Sequence, residues 1–224
     1  MVPEQLAVFM QENGRLENHS AGQVFHSQNF AETLFMLKTG YVKRYQVADD
    51  DNRVIELIYG PGHIFPLSQL YKKIFGIEQN QQNLIYVYQA MTDIEIYSIS
   101  DRVVVEAVEK NHDLYVDLFY EAGLRLKSNI ERLASNALKD EYKKMAHQLV
   151  CLANEFGEEI EHGDKTGIRI TVPLKPVDMA EQLNISKEVA DAVLVSLTSR
   201  DLLTVDEGDY IVVFDIAQLK DLYL

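Results

Sequence analysis

Residues 174 to 214 read LKPVDMAEQLNISKEVADAVLVSLTSRDLLTVDEGDYIVVF. Two helical stretches flank a tight polar turn, and two short apolar strands follow with an Asp-Glu-Gly-Asp tip between them. That is the outline of a winged helix-turn-helix, whose second helix lies in the major groove of DNA. Met179, Leu183, Ile185, Val189, Val193 and Leu197 have the spacing that packs two crossed helices around a turn. Ser186 is placed to cap the second helix, its hydroxyl accepting from the amide of Val189. Lys187 and Glu188 would then meet base edges first, Lys donating to guanine and Glu accepting from the cytosine amino group. The same pattern also fits an ordinary helical hairpin, and the ribbon at 203 to 214 with its Gly208 turn favours the winged form.

Charge opposes the DNA reading. Residues 140 to 224 hold 8 Lys and Arg against 17 Asp and Glu, about -9 of the chain's formal -14. Phosphate attraction supplies most non-specific affinity, so binding would have to come from a few placed contacts.

Upstream, the texture from Gly22 to Ser100 is strand. GQVFHSQ, TLFMLKTGYVKRYQV, RVIELIYGPGHIF and NLIYVYQAMTDIEIYSI alternate apolar with polar residues, with turns at Asp49 to Asn52 and Gly60-Pro61-Gly62. Short strands at this spacing predict a small antiparallel roll or jelly roll. SQLYKKIFGIEQNQQN (68 to 83) breaks the alternation and reads as a short helix with a polar loop. Tyr59, Phe65, Tyr71, Phe75, Tyr86 and Tyr88 suit either a packed interior or an apolar, aromatic small molecule.

Past Ser100 the period becomes helical. Asp101 is placed to cap RVVVEAVEK, and a long helix runs from near Leu114 to near Leu138. Its positions Val116, Phe119, Gly123, Leu126, Ile130, Leu133 and Ala137 advance by alternating steps of 3 and 4, a heptad seam. So narrow a stripe fits a dimer seam better than a helix lying across its own core. Gly123 in mid-helix costs about 1 kcal/mol relative to Ala and suggests close approach of a partner backbone or a ligand. A second helix spans 140 to 156, GEEIEHGDKTG reads as a polar loop, and residues 168 to 172 as a strand. The expected class is α+β: a sensor roll over 1–110, a dimerisation helix over 111–138 and a winged helix-turn-helix over 139–224.

The order of roll, long helix and winged helix-turn-helix resembles the Crp/Fnr superfamily of bacterial transcription regulators, over nearly the whole chain. LKTGYVKRYQV (37 to 47) resembles the glycine-containing hairpin of its cyclic-nucleotide-binding-like sensor domain. IELIYGPGHIF (55 to 65) resembles the strand and proline-glycine turn, DIEIYSIS (93 to 100) the strand before its small helix, and residues 184 to 213 the recognition helix and wing. The resemblance implies a homodimer that binds an inverted repeat in double-stranded DNA, responds to a small-molecule effector, and has RNA polymerase as a partner. It places phosphate contacts at Lys175 and Ser186 and base contacts at Lys187 and Glu188. The ribose-holding Gly-Glu of nucleotide-binding members falls at Pro66-Leu67 and their phosphate-binding Arg at Leu84, so cyclic AMP is not the expected effector and the effector-binding residues stay unknown. The family's second base-reading Arg falls at Ala192, beside Asp191, which implies an altered or weak site preference. A degenerate member that serves as a sensor or protein-docking scaffold is the alternative.

No cofactor is expected. One cysteine, Cys151, neither forms an internal disulfide nor holds an iron–sulfur cluster. A haem would need an axial ligand, for which His26, His63 and His112 are conceivable without any supporting motif. No metal-ligand spacing and no catalytic motif such as GxSxG or HExxH occurs, so an enzyme is not expected. No leader and no run of about 18 apolar residues is present, which points to a cytoplasmic protein with no membrane partner.

Overall fold

The computed structural model describes residues 4–26, 32–47, 53–76 and 86–224. It is α+β and divides into two compact units, Met1–Val47 with Leu57–Lys127, and Ala48–Glu56 with Ser128–Leu224.

The first unit opens with helix α1 (Glu4–Asn13) and strands β1 (Arg15–His19), β2 (Val24–His26), β3 (Thr33–Thr39), β4 (Val42–Val47), β5 (Arg53–Tyr59, of which residues 57–59 belong to this unit) and β6 (Ile64–Phe65). Helix α2 (Leu67–Phe75), β7 (Val87–Ala90), β8 (Ile94–Ser100), α3 (Asp101–Lys110) and α4 (His112–Ala137) follow. The strands form two four-stranded sheets, in the orders β1-β8-β3-β6 and β2-β7-β4-β5, a roll of antiparallel pairs.

Strand β3 explains why there are two cores. Its run Leu34-Phe35-Met36-Leu37 is buried on both faces, and alternate side chains diverge as the pleat requires. Leu34 and Met36 pack with Leu6, Met10, Val104, Val108, Leu114 and Leu118, the helical side of the unit. Phe35 and Leu37 face the roll interior with Tyr59, Phe65, Tyr88, Ile94 and Ile96.

The connection from β3 in one sheet to β4 in the other turns at Gly40, where φ is +80° and an added Cβ would lie 2.4 Å from the carbonyl oxygen of Asp93. Left-handed backbone combined with that backbone clash makes glycine obligatory. Gly40→Ala is therefore expected to cost about 2 to 3 kcal/mol, read as a lowered urea midpoint with an unchanged slope. The turn expected at Asp49 to Asn52 lies outside the described residues, as does the loop expected at 77 to 83.

The second unit contains the C-terminal part of α4, then α5 (Glu141–Phe156), β9 (Gly157–His162), β10 (Lys165–Ile170), α6 (Pro176–Leu183), α7 (Lys187–Ser199), β11 (Leu203–Asp206), β12 (Tyr210–Val213) and α8 (Ile216–Asp221). Its sheet has the order β11-β12-β10-β9. Asp140 caps α5 by accepting from the amide of Lys143 at 3.0 Å.

Several expectations need correction. GEEIEHGDKTG is no loop: it forms strand β9, a turn at Gly163 with φ +62°, and the start of β10. It carries so much charge because β9 is a sheet edge, where charged side chains discourage further pairing. The following strand ends at Ile170 instead of running to Val172. Asp101 is the first residue of α3, not its cap; the cap is Ser100, which makes no side-chain capping bond. Asp101 is buried and paired with Lys73 at 2.8 Å. Helices α1 and α8 and strand β1 were not anticipated.

Candidate nucleic-acid interface

Helix α6 begins at the exposed Lys175, its N-cap, whose amide donates to the Asp178 carboxylate at 3.1 Å. It ends at Asn184, which takes the left-handed conformation (φ 52°) that closes a helix, and three residues later α7 begins. As expected from the sequence, the Ser186 hydroxyl accepts from the Val189 amide, at 3.3 Å. The crossing is held by Met179, Leu183, Ala190, Val193, Leu194 and Leu197, all buried. Val189, expected in this core, is exposed, and Ala190 takes its place. A small residue lets the two helices approach closely, and the one-residue offset turns Val189 outward.

Lys187 and Glu188 are therefore exposed side chains on the first turn of a capped helix. The Glu188 carboxyl is held below its ordinary pKa by a bond to its own backbone amide, by the Ser186 hydroxyl and by nearby Lys187. It stays an acceptor across the physiological range. The wing is the β11–β12 hairpin, with Glu207 and Gly208 exposed at its tip and Asp209 at φ +66°.

Helix α4 is two-faced over its whole 26 residues. Leu114, Leu118, Glu121, Arg125 and Ser135 form one buried line. On the other side Val116, Phe119, Leu126, Ile130 and Leu133 are 50 to 69% exposed. Gly123 and Ala137 on the same line are exposed too, and a Cβ built on Gly123 meets nothing within 4 Å. The seam is thus no part of the chain's own core.

A polar network, unanticipated from the sequence, ties the end of α4 to α5 and α6. The buried Ser135 hydroxyl lies 2.6 Å from Nδ1 of His147 and 3.1 Å from Oε1 of Gln148. Gln148 donates to Gln182 of α6 at 2.8 Å, and Asn136 donates to the Gln182 carbonyl at 3.2 Å. These residues stood out in no pattern because buried amides look like surface ones in a sequence.

Inside the roll, the rings of Tyr59, Phe65, Tyr88 and Phe35 stack on one another, with centroids 4.9 to 6.1 Å apart. The aromatic residues weighed as an effector lining are thus core at Tyr59, Phe65 and Tyr88. Tyr71 packs against the helical core and Tyr86 against the roll interior; the side chains of Phe75 and His26 lie outside the described residues. Beneath the rings sits a buried charge cluster. Arg125 pairs with Glu121 at 3.3 Å, reaches Nε2 of His63 at 3.1 Å and lies over the Tyr59 ring.

His63 Nδ1 accepts from the Gly60 amide at 2.9 Å, so both ring nitrogens of His63 are engaged. Burial, then the charge of Arg125, lowers its pKa from 6.5 to about 3. Between those values the unfolded chain binds a proton that the folded chain does not, so stability is lost as pH falls from 6.5 toward 3. His63→Gln is expected to flatten this stretch, removing about 1 to 2 kcal/mol of the loss seen in urea titrations between pH 7 and pH 4.5.

A groove of about 460 Å³ lies elsewhere on the unit, lined by Ala7, Val8 and Gln11 of α1, Met36 and Leu37 of β3, and the Pro61-Gly62 turn. No cluster of three or more metal-ligating side chains occurs among the described residues, and none of their helices is long and apolar enough to cross a membrane.

No protein-family model and no curated protein matches the chain. Solved structures do. FixK2 from Bradyrhizobium japonicum superposes with a TM-score of 0.73 at 16% identity, over 94% of this chain and 98% of that one. A transcriptional regulator of the CRP/FNR family from Thermus thermophilus gives 0.67 at 20% identity, over 93% and 98%. The chain has the Crp/Fnr fold. The regulator CLP of Xanthomonas campestris, described as responsive to c-di-GMP, gives 0.70 at 18%, over 93% and 98%.

Within the Crp/Fnr fold the departures noted in the sequence acquire places. Pro66 and Leu67 are buried at the start of α2, Leu67 within the helical core. Leu84 lies outside the described residues. Ala192 is exposed on α7.

Proposed function

We propose that the chain is a homodimeric, sequence-specific DNA-binding transcription regulator of the Crp/Fnr type. The observation that carries this is the two-faced α4, one line buried in its own chain and the other an unbroken apolar heptad seam left in water. Exposed apolar side chains scattered singly mean little, but seven successive seam positions match what a parallel coiled coil buries. Two-fold pairing along this seam would present two α7 helices about 34 Å apart, one turn of DNA, suited to an inverted repeat.

The effector is a small molecule other than cyclic AMP. A cyclic phosphate needs a cation to offset its desolvation, and by the resemblance the family's phosphate-binding Arg falls at Leu84. Effector control would shift a pre-existing balance between competent and incompetent arrangements of the two heads. The Ser135–Gln148–Gln182 bonds support this reading by linking the end of α4 to the helix-turn-helix. RNA polymerase is the partner such a regulator would meet at a promoter.

A mobility shift on the gene's own upstream region tests the proposal. Retardation that is lost in Lys187→Ala with Lys175→Ala supports it; retardation indifferent to both refutes the groove assignment. The second reading, a sensor whose winged helix docks a protein, is favoured by the exposed Glu207 at the wing tip. It predicts no discrete genomic sites on crosslinking and a stable protein partner instead.

A further inference from the structure

Helix α7 buries Ala190, Val193, Leu194 and Leu197. At 3.6 residues per turn the line directly opposite is Glu188, Ala192, Val195 and Ser199. All four are exposed, Val195 at 69%, and Val189 on the flank is also exposed. The outward line of this helix therefore carries a single charge, at its N-terminal end, followed by small side chains. Among the described residues, no core cluster uses Val195.

Resting on the DNA-binding role proposed above, we infer that Ala192 and Val195 read the C5-methyl groups of thymines in the major groove. The four chemical groups at a base-pair edge there are acceptors, the amino donors, hydrogen and the thymine methyl, and the last is the one an Ala or Val side chain recognises. Glu188, kept ionised at the helix start, accepts from the cytosine amino group at one end of the same line. Small side chains let the helix axis sit close to the bases. The exposed Lys175, at the N-terminus of α6, supplies a positive charge that faces phosphate, while the exposed Lys187 at the start of α7 stays with the base edges beside Glu188. A protein partner fits this line less well. A stable protein contact takes about 800 Å² a side around aromatic or Arg anchors, and the line offers two small apolar residues. The half-site is thus a cytosine step followed by thymines, with apolar contact standing where a second guanine contact is absent.

The test uses the full chain. Sites are selected from a random duplex library, and each thymine of the selected half-site is then replaced by deoxyuridine, which removes only the methyl. Affinity is read by fluorescence anisotropy. The expected result is a three- to fivefold loss at each of one or two thymines, the worth of one buried methyl group. Val195→Ser, a surface change, should lower affinity for the thymine-containing site by the same three- to fivefold and abolish the thymine-over-uracil preference at one of them. Discrete selected sites with no uracil effect anywhere would overturn the methyl readout and leave the DNA-binding role standing. Failure to retain any duplex would overturn that role, and with it this inference. A protein partner released by Val195→Asp, without duplex binding, would reassign the line to protein docking and overturn it likewise.

Discussion

Leu126→Glu combined with Ile130→Glu is expected to weaken self-association at least 1000-fold while leaving the fold intact. Both side chains are more than half exposed in the single chain, so the change costs the protomer little beyond helix propensity. In a two-fold dimer it would bring four carboxylates into one apolar seam, and burying unpaired charge costs several kcal/mol. Affinity for a full inverted repeat should fall at least 100-fold with it, since each head would bind alone. Gly123→Leu sharpens the test. Leucine favours a helix by nearly 1 kcal/mol over glycine and its Cβ meets nothing in its own chain, so the protomer gains stability. If a second α4 passes there, the same change drives the two backbones apart and the dimer is lost. A variant that is both more stable and fully dimeric would place the seam elsewhere on the helix.

The second large effect concerns the acidic wing. Glu207 is exposed at the hairpin tip, where a positive side chain would contact phosphate. Glu207→Lys combined with Asp209→Asn, an amide being tolerated at φ +66°, should raise duplex affinity about tenfold at 0.1 M salt. The slope of log affinity against log salt should steepen by about 2 per dimer, one phosphate contact per head. The gain should appear on specific and non-specific duplexes alike. Lys187→Ala should instead act on the specific site, weakening it about tenfold and eroding discrimination at one base pair. Equal effects of Lys187→Ala on all sequences would demote that residue from base reading to phosphate contact.

How much of this was legible in the sequence depends on whether a residue type signals its own environment. The apolar line of α4 was legible because residues at alternating steps of 3 and 4 fall on one side of any helix that carries them. The Ser186 cap was legible because its partner lies three residues on in the same chain. The roll was visible in the alternation of β4 and β8. Charged residues misled in two ways. On β9, glutamates mark a sheet edge and were read as a loop. Glu121, Arg125 and Asp101 are buried ion pairs, which a sequence cannot distinguish from surface charge because the partner is set by the tertiary fold. Val189 and Ala190 show the limit of periodicity: either fits a helix stripe, and only the closeness of α6 selects the smaller for the core.

The central claim is that two chains pair along α4. Sedimentation equilibrium at micromolar concentration, alone and with an inverted-repeat duplex, tests it most directly. The account predicts a particle of twice the 25.6 kDa chain mass that binds one duplex as a pair. A single-chain mass that persists at all concentrations, with one chain per duplex, would contradict it.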